Sequence, residues 1–271
     1  MKAVIPAAGN GTRLSPATKV LPKEMFPLID TPAIHMVVEE ALSAGFDEVI
    51  VVISGVTSII KPYLRKAFED DKRGKIRFLV QDEPYGLGGA VLSASKAVNG
   101  EPFALLLPDE IFLGDTVAIT QLIEAHYVKG ASVIGASFVE EDEVSRYGMI
   151  ILEPGLNRVA AFEEKPTATT SRQAMSGRYI LTPGIFICLQ KMKNNNHGGE
   201  ISLTDALNLL LEDESIEMIE LEGNRFDVGN KLGYLMANIE MGLRRPDLNG
   251  ALKQYLMEVR ERLIARGDEH A

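Results

Sequence analysis

Cysteine is nearly absent: Cys188 stands alone in 271 residues, so no intrachain disulfide and no cysteine-based zinc cluster can form. Histidine is scarce too; His35, His126, His197 and His270 are scattered and suggest no metal site. Basic residues are outnumbered, 28 Lys and Arg against 38 Asp and Glu, for a formal net charge of −10. That balance argues against non-specific binding to nucleic acid or to an anionic membrane, since both need a basic surface. It leaves room for a local basic pocket around a phosphorylated ligand. No apolar run approaches a membrane span, and the apolar stretch at the start is too short for a secretory signal. Repeats, low-complexity tracts and long linkers are missing as well. What remains is an ordinary globular balance, 46% hydrophobic and 24% charged. The length suits one large domain, or one domain with a sub-domain insert. A cytoplasmic enzyme is the expectation.

Short apolar runs alternate with helical patterns through the first half. Ala3-Val4-Ile5 reads as a strand followed by a glycine-rich loop. Residues 33–44 read as a helix with Ile34, Val37, Val38, Ala41 and Leu42 on one face, ended by Gly45. Residues 49–53, 76–80 and 103–107 read as strands, the first a continuous apolar run suited to burial on both faces. Helices are expected over 58–68, near 90–97 and over 117–128. This βαβα order predicts an α/β fold, Rossmann-like and doubly wound, with a mostly parallel central sheet. After Ala131 the pattern changes. Strands at 132–138, 148–152, 159–163 and 177–181 follow without a full helix between each, which predicts a mixed-sheet portion built onto the first half. A helix over 203–211, a strand over 216–221 and helices over 231–244 and 249–266 close the chain, and residues 267–271 are expected to fray.

The first strand runs into Pro6-Ala7-Ala8-Gly9-Asn10-Gly11-Thr12-Arg13-Leu14. Small residues after a parallel strand let backbone N–H groups approach phosphates, at the strand end where ligands of such sheets bind. Alone, the loop reads first as a tight turn, since glycine pairs after strands are common. A dinucleotide loop fails, because Leu14 stands where the third glycine belongs and no ribose-binding acid ends the next strand. A Walker A loop fails because no Gly-Lys-Ser/Thr closes it. The residues that follow decide: Arg13, Lys19 and Lys23 cluster in an acidic protein, on a segment stiffened by Pro16, Pro22 and Pro27. Cations on a braced loop beside phosphate-binding amides suit a triphosphate.

The loop, followed by Pro16-Ala17-Thr18-Lys19 and Pro22-Lys23-Glu24-Met25-Phe26-Pro27, resembles the opening motif of the sugar-1-phosphate nucleotidylyltransferases. Its wording is most similar to the bacterial uridylyltransferase branch, and the resemblance extends to about Arg245. The resemblance implies a nucleotidyltransferase region at 1–245, with 1–130 mainly nucleotide-binding and 131–245 mainly sugar-phosphate-binding. Residues 246–271 are a C-terminal helical extension whose wording matches no motif. Ser15 and Glu110 depart from many relatives.

Residue by residue, the resemblance implies a nucleotide side built from Ala7, Ala8, Gly9, Gly11, Thr12, Glu24, Gln81 and Gly86. Gln81, ahead of Pro84-Tyr85-Gly86-Leu87-Gly88-Gly89, would pair with the base, for which an amide supplies one donor and one acceptor. Gly148, Glu164, Lys165 and Tyr179 would line the sugar-phosphate side, in the phrases Tyr147-Gly148, Glu163-Glu164-Lys165-Pro166 and Gly177-Arg178-Tyr179. Asp109 at the end of an apolar strand and Asp227 would hold Mg2+, a hard cation that takes carboxylate and phosphate oxygens. Arg13, Lys23 and Lys165 would stabilise charge during transfer. The implied partners are UTP and glucose 1-phosphate, with no nucleic acid and no membrane, in a homo-oligomeric enzyme, a dimer or tetramer. A stripe of Leu252, Leu256, Val259 and Leu263 on the last helix is the candidate interface. Thymidylyl or cytidylyl transfer on the same scaffold, and a non-catalytic homologue, are the alternatives.

Overall fold

Apolar runs without polar alternation form strands that helices cover on both faces, and here they form the middle of one large sheet. The structure, a computed structural model, describes residues 1–9, 11–55, 57–81, 85–195 and 199–265. The first half comprises β1 (Lys2–Ala7), β2 (Pro27–Leu28), β3 (Thr31–Pro32), α1 (Ala33–Ser43), β4 (Glu48–Ile53), α2 (Ile60–Ala67) and β5 (Lys75–Val80). It continues with α3 (Gly86–Ser93), α4 (Ser95–Val98), β6 (Phe103–Leu106), β7 (Glu110–Leu113) and α5 (Ala118–Lys129). The second half holds β8 (Ser132–Phe138), β9 (Gly148–Leu152), β10 (Val159–Glu164), β11 (Gln173–Leu181), α6 (Gly184–Asn195) and α7 (Leu203–Leu210). Then come β12 (Ile216–Glu220), β13 (Asn224–Asp227), α8 (Lys231–Arg244) and α9 (Asn249–Ala265). The tail expected to fray lies outside the described residues.

Nine strands form the main sheet in the order β10-β9-β11-β6-β1-β4-β5, with β8 beside β11 and β12 beside β8. β1, β4, β5 and β6 pair in parallel, and so do β8 and β12. β11 and β10 run against the others. The sheet is mostly parallel, and it continues without a break across Ala131. Alternation along each strand divides the interior in two. Val4, Ile50, Val52 and Leu105 pack under α3, α6 and α7, while Ala3, Ile5, Val49 and Val51 pack under α1, α2 and α5. Each of the Val, Ile and Leu side chains among them, taken from water, stabilises the fold by about 1.5–3 kcal/mol.

Several elements differ from the reading of the sequence, among them the short strands β2, β3, β7 and β13, which it did not foresee. β11 begins at Gln173 rather than 177, because it changes partners along its length: its last residues pair with β6, its first with β9. The change occurs at Gly177, whose φ of 73° suits a residue without a Cβ. α6 was not read from the sequence at all. Its apolar start hides a helical spacing, Ile185, Phe186, Cys188 and Leu189, all buried. The helix expected near 90–97 starts earlier, at Gly86, and is split at Ala94. Outside the main sheet, β7 and β13 pair antiparallel as a short ribbon. That ribbon positions the site.

Candidate active site

Loops after β1, β5 and β6 meet at the carboxyl end of the parallel strands, where ligands of such sheets bind. The loop after β1 turns at Gly11, with φ of 62°, into three short 3-10 turns at Thr12–Leu14, Ala17–Lys19 and Lys23–Met25. The prolines thus divide the segment into turns rather than one helix. The last turn folds Lys23 back over the loop. A Cβ at Gly11 would come within 3.0 Å of Thr18 and 3.3 Å of Lys23, so the glycine is needed for the crossing. Ala8, Gly9, Arg13 and Lys23 line a cleft of ≈ 390 Å³. Ala7 is instead core, Thr12 and Lys19 face outward, and Gly11 lies behind the cleft wall. Asn10 lies outside the described residues.

The two aspartates converge although they are far apart in the chain. Asp227 ends β13 in register with Glu110, and the Val228 amide donates to the Asp109 carbonyl at 2.8 Å. The Arg13 guanidinium reaches both, 3.6 Å from Asp109 and 3.4 Å from Asp227. Lys23 Nζ donates to Asp109 Oδ2 at 2.5 Å. Burial alone would raise the Asp109 carboxyl, but Lys23 and Arg13 outweigh it and hold it below the usual aspartate value. Burial likewise opposes the charge on Lys23, and Asp109 with Glu24 more than restores it, so its pKa is raised. Between the carboxylates the backbone passes at Gly229. A Cβ there would sit 2.7 Å from Asp109 Oδ2 and 3.0 Å from Asp227 Oδ1, so both oxygens border one small space.

Two buried polar groups of the cleft wall lack hydrogen-bond partners among the described residues. Neither oxygen of Glu24, 1% exposed, has a hydrogen-bond partner among the described residues, and burial pushes its carboxyl up to about 7. Gln81 Nε2 is also unpartnered, while its backbone N–H is fixed by the Ile53 carbonyl at 2.8 Å. Both side chains line the cleft together with Gly86. Buried polar atoms are rarely left unmatched, so these two are candidate ligand contacts; Glu163, Arg172, Gln173 and Ser176 also carry unpartnered buried atoms, outside the cleft lining. Pro84, in the same phrase as Gln81, lies outside the described residues.

At the other end Glu164 accepts from Thr204 Oγ1 at 2.6 Å and pairs with Lys165 Nζ at 2.5 Å. Burial would raise its carboxyl, but these two bonds hold it below the usual glutamate value. Lys165 takes φ of 45°, and its amide donates to the Tyr147 carbonyl at 3.1 Å. A Cβ at Gly148 would meet Met175 at 2.1 Å, so glycine keeps that wall open. Tyr179 also lines the cleft. Its neighbour Arg178 does not belong to the sugar-phosphate side that its phrase suggests. Arg178 is fully buried behind the cleft, bonded to Glu40 at 2.9 and 2.6 Å and to the carbonyls of Leu107, Gly177 and Glu110.

Reading the sequence missed Glu200, Thr204, Arg225 and Gly229. The first two had a signal: Gly199-Glu200-Ile201-Ser202-Leu203-Thr204-Asp205 leads into α7, with Ser202 capping the helix by accepting from the Asp205 amide at 3.1 Å. That cap turns Thr204 toward Glu164.

Among curated proteins, the chain is 38% identical to a UTP–glucose-1-phosphate uridylyltransferase of Bacillus subtilis (strain 168), over 96% of each. Among solved structures, it is similar to a UTP-bound UGPase from Acinetobacter baumannii, with TM-score 0.83 and 32% identity, covering 95% of this chain and 98% of that one. A UDP-glucose pyrophosphorylase complexed with UDP-glucose matches with TM-score 0.81 and 32% identity, covering 90% and 99%. The Nucleotidyl transferase family model matches residues 2–242, from the first strand into the last turn of α8, and the chain belongs to that family.

Proposed function

We propose that the cleft joins UTP and glucose 1-phosphate to give UDP-glucose and pyrophosphate. The observation that carries this reading is the convergence of Lys23, Arg13, Asp109 and Asp227 at one end of a cleft whose other end holds Glu164 and Lys165. The names of the relatives and the UTP and UDP-glucose in their structures support it. In the reaction an oxygen of glucose 1-phosphate attacks the α-phosphorus of UTP in line, a P–O bond forms, and the bond to the pyrophosphate breaks. The attacking oxygen is anionic at neutral pH, so no general base is required. The work of the protein is positioning and charge stabilisation. Lys23 offsets charge at the α-phosphate, Arg13 receives the developing pyrophosphate charge, and Lys165 meets the sugar phosphate. Glu164, held by Thr204, accepts from sugar hydroxyls, and Gly148 admits the ring. Gln81 and the loop backbone hold the nucleotide.

The proposal includes Mg2+ at Asp109 and Asp227. The donor set suits it, since Mg2+ uses one or two carboxylates and takes its other ligands from phosphates and water. When bound, the ion supplies Lewis-acid stabilisation of phosphate charge. A cytoplasmic location goes with the reading, because nucleoside triphosphates are supplied there. The test is pyrophosphate release across four nucleoside triphosphates and several sugar 1-phosphates. UTP with glucose 1-phosphate is expected to give the highest kcat/KM; higher values with dTTP or CTP reject the uridylyl assignment and leave the reaction class.

Homo-oligomerisation is proposed too, with the interface moved from α9 to α8. Leu252, at the head of the α9 stripe, packs on α8 at Gly242, where an added Cβ would come within 2.6 Å of it. On α8 itself Leu232, Leu235, Met236 and Ile239 are exposed at helical spacing. Light scattering at micromolar concentration is expected to show a dimer or larger, reduced to monomer by Leu235→Glu with Ile239→Glu. A monomeric wild type rejects the assembly, and an unchanged oligomer in the double variant rejects the α8 interface.

A further inference from the structure

We infer that Arg225 is a positioning residue: it ties the ribbon carrying the two aspartates to the wall carrying Lys165, so that the two ends of the cleft are set as one unit. The inference rests on the proposed reaction for the identity of those ends. Arg225 lies on β13, two residues before Asp227, and its side chain is 8% exposed. Its Nε and Nη2 donate to the two oxygens of Glu110 at 2.8 and 2.7 Å. Glu110 follows Asp109 directly and is the register partner of Asp227. One end of the guanidinium is therefore fixed to the aspartate ribbon.

Its face is turned to the other wall. The guanidinium carbon lies 4.4 Å from the centre of the Tyr147 ring, within the range of cation–π attraction. Tyr147 precedes Gly148, and its carbonyl fixes the amide of Lys165, the residue in the left-handed conformation. One planar group thus spans from Asp109 and Asp227, through Glu110, to Tyr147, Gly148 and Lys165. Lysine cannot replace it, because only a planar fork can bond both carboxylate oxygens while stacking on a ring. A buried ion pair is in itself weak support for stability. The pair is also not consumed by the proposed chemistry. Linking the two ends gives it a role: charge arriving at the aspartates is felt at the sugar-phosphate wall through one rigid contact chain.

The experiment measures UDP-glucose affinity calorimetrically, in EDTA and in Mg2+, with no pyrophosphate present and hence no turnover. In the wild type, Mg2+ is expected to tighten binding at least about fivefold, the lower end of usual coupling between sites. In Arg225→Lys, which keeps the charge but loses the fork, and in Tyr147→Leu, which keeps the ion pair but loses the ring, that factor is expected to fall toward one. Both side chains also line the cleft, so the readout is the ratio of the affinities in Mg2+ and in EDTA within each variant, which the loss of a direct contact common to both conditions leaves unchanged. A merely structural role predicts the opposite split: lower Tm with the Mg2+ factor intact. If Arg225→Lys does not fold, Tyr147→Leu alone decides. A wild-type Mg2+ effect that survives in the folded variants overturns the inference and spares the proposed reaction. No Mg2+ effect in the wild type rejects the metal reading, and the inference falls with it.

Discussion

Asp109→Ala is expected to reduce single-turnover rates by about 10²–10³ or more, the loss typical when one preorganised charge-stabilising group is removed. Asp109 is the acceptor of Lys23 at 2.5 Å and faces Arg13, so it would both offer an oxygen to an ion and aim the two cations. The triphosphate and the attacking phosphate are both anionic. Lys23 and Arg13 would offset part of their repulsion, and a divalent ion held by Asp109 and Asp227 would offset more of it. Removing Asp109 also leaves Lys23 buried without its hydrogen-bonded partner, a change that can cost stability as well as rate. Asp109→Asn, nearly isosteric, separates the two effects. It should keep the fold and still lose turnover, while UTP binding in EDTA largely survives.

Asp227→Ala should give a smaller loss, since Asp109, phosphates and water can still hold an ion. The double variant should be far from additive, because both side chains serve one site. Single-turnover kinetics against Mg2+ concentration for the wild type and the three variants provide the measurement. Near-normal turnover with unchanged Mg2+ dependence in Asp109→Ala would reduce Asp109 to a turn residue at the end of β6.

Local signals carried much of this arrangement, and pairing between distant segments carried the rest. Strands such as Glu48–Ile53 were legible because a run buried on both faces has no polar interruptions. Arg13, Lys23 and Asp109 were legible through the family resemblance of the phrases that carry them, since the loop alone reads as a tight turn and an aspartate after a strand is often a turn residue. The meeting of Asp109 with Asp227 was not legible. It depends on β7 and β13, two four-residue strands with no strong alternation that find each other across the whole second half of the chain. Arg225 was hidden for the same reason: nothing local distinguishes it from a solvated arginine until Glu110 and Tyr147 are seen around it. Arg178 shows the converse error. Its phrase resembled the sugar side, but strands alternate faces, so its neighbour Tyr179 lines the cleft while Arg178 points behind it to Glu40. Of the α9 stripe, Leu252 packs on α8 at Gly242, and periodicity, which identifies an apolar face, cannot say what covers the rest of it.

Gly229→Ala is expected to abolish most turnover while costing less stability than Gly233→Ala. Gly229 does not occupy the left-handed region, so alanine meets no backbone strain there. The added methyl would stand 2.7 Å from Asp109 Oδ2, 2.9 Å from Arg13 Nη2 and 3.0 Å from Asp227 Oδ1. Two of these atoms are bonded, Asp109 Oδ2 to Lys23 and Asp227 Oδ1 to the Gly229 amide, so moving them aside loosens those bonds and costs some stability, though less than a clash with fixed backbone. All three are also the atoms that would bind an ion and receive pyrophosphate charge, so moving them is costly for catalysis, where misplacement by about 1 Å can cost about 10²-fold. Two other glycines calibrate the result. At Gly233 a Cβ would meet the backbone oxygen of Asp227 at 2.1 Å, which cannot rotate away, so Gly233→Ala should lose stability and activity together. At Gly250 in α9 a Cβ meets nothing within 4 Å, so Gly250→Ala should be active and, as glycine is the poorer helix former, more stable by about 0.5–1 kcal/mol. The measurements are kcat and Tm for all three variants. Wild-type kcat in a folded Gly229→Ala protein would mean that the space between the two aspartates is not used in the reaction.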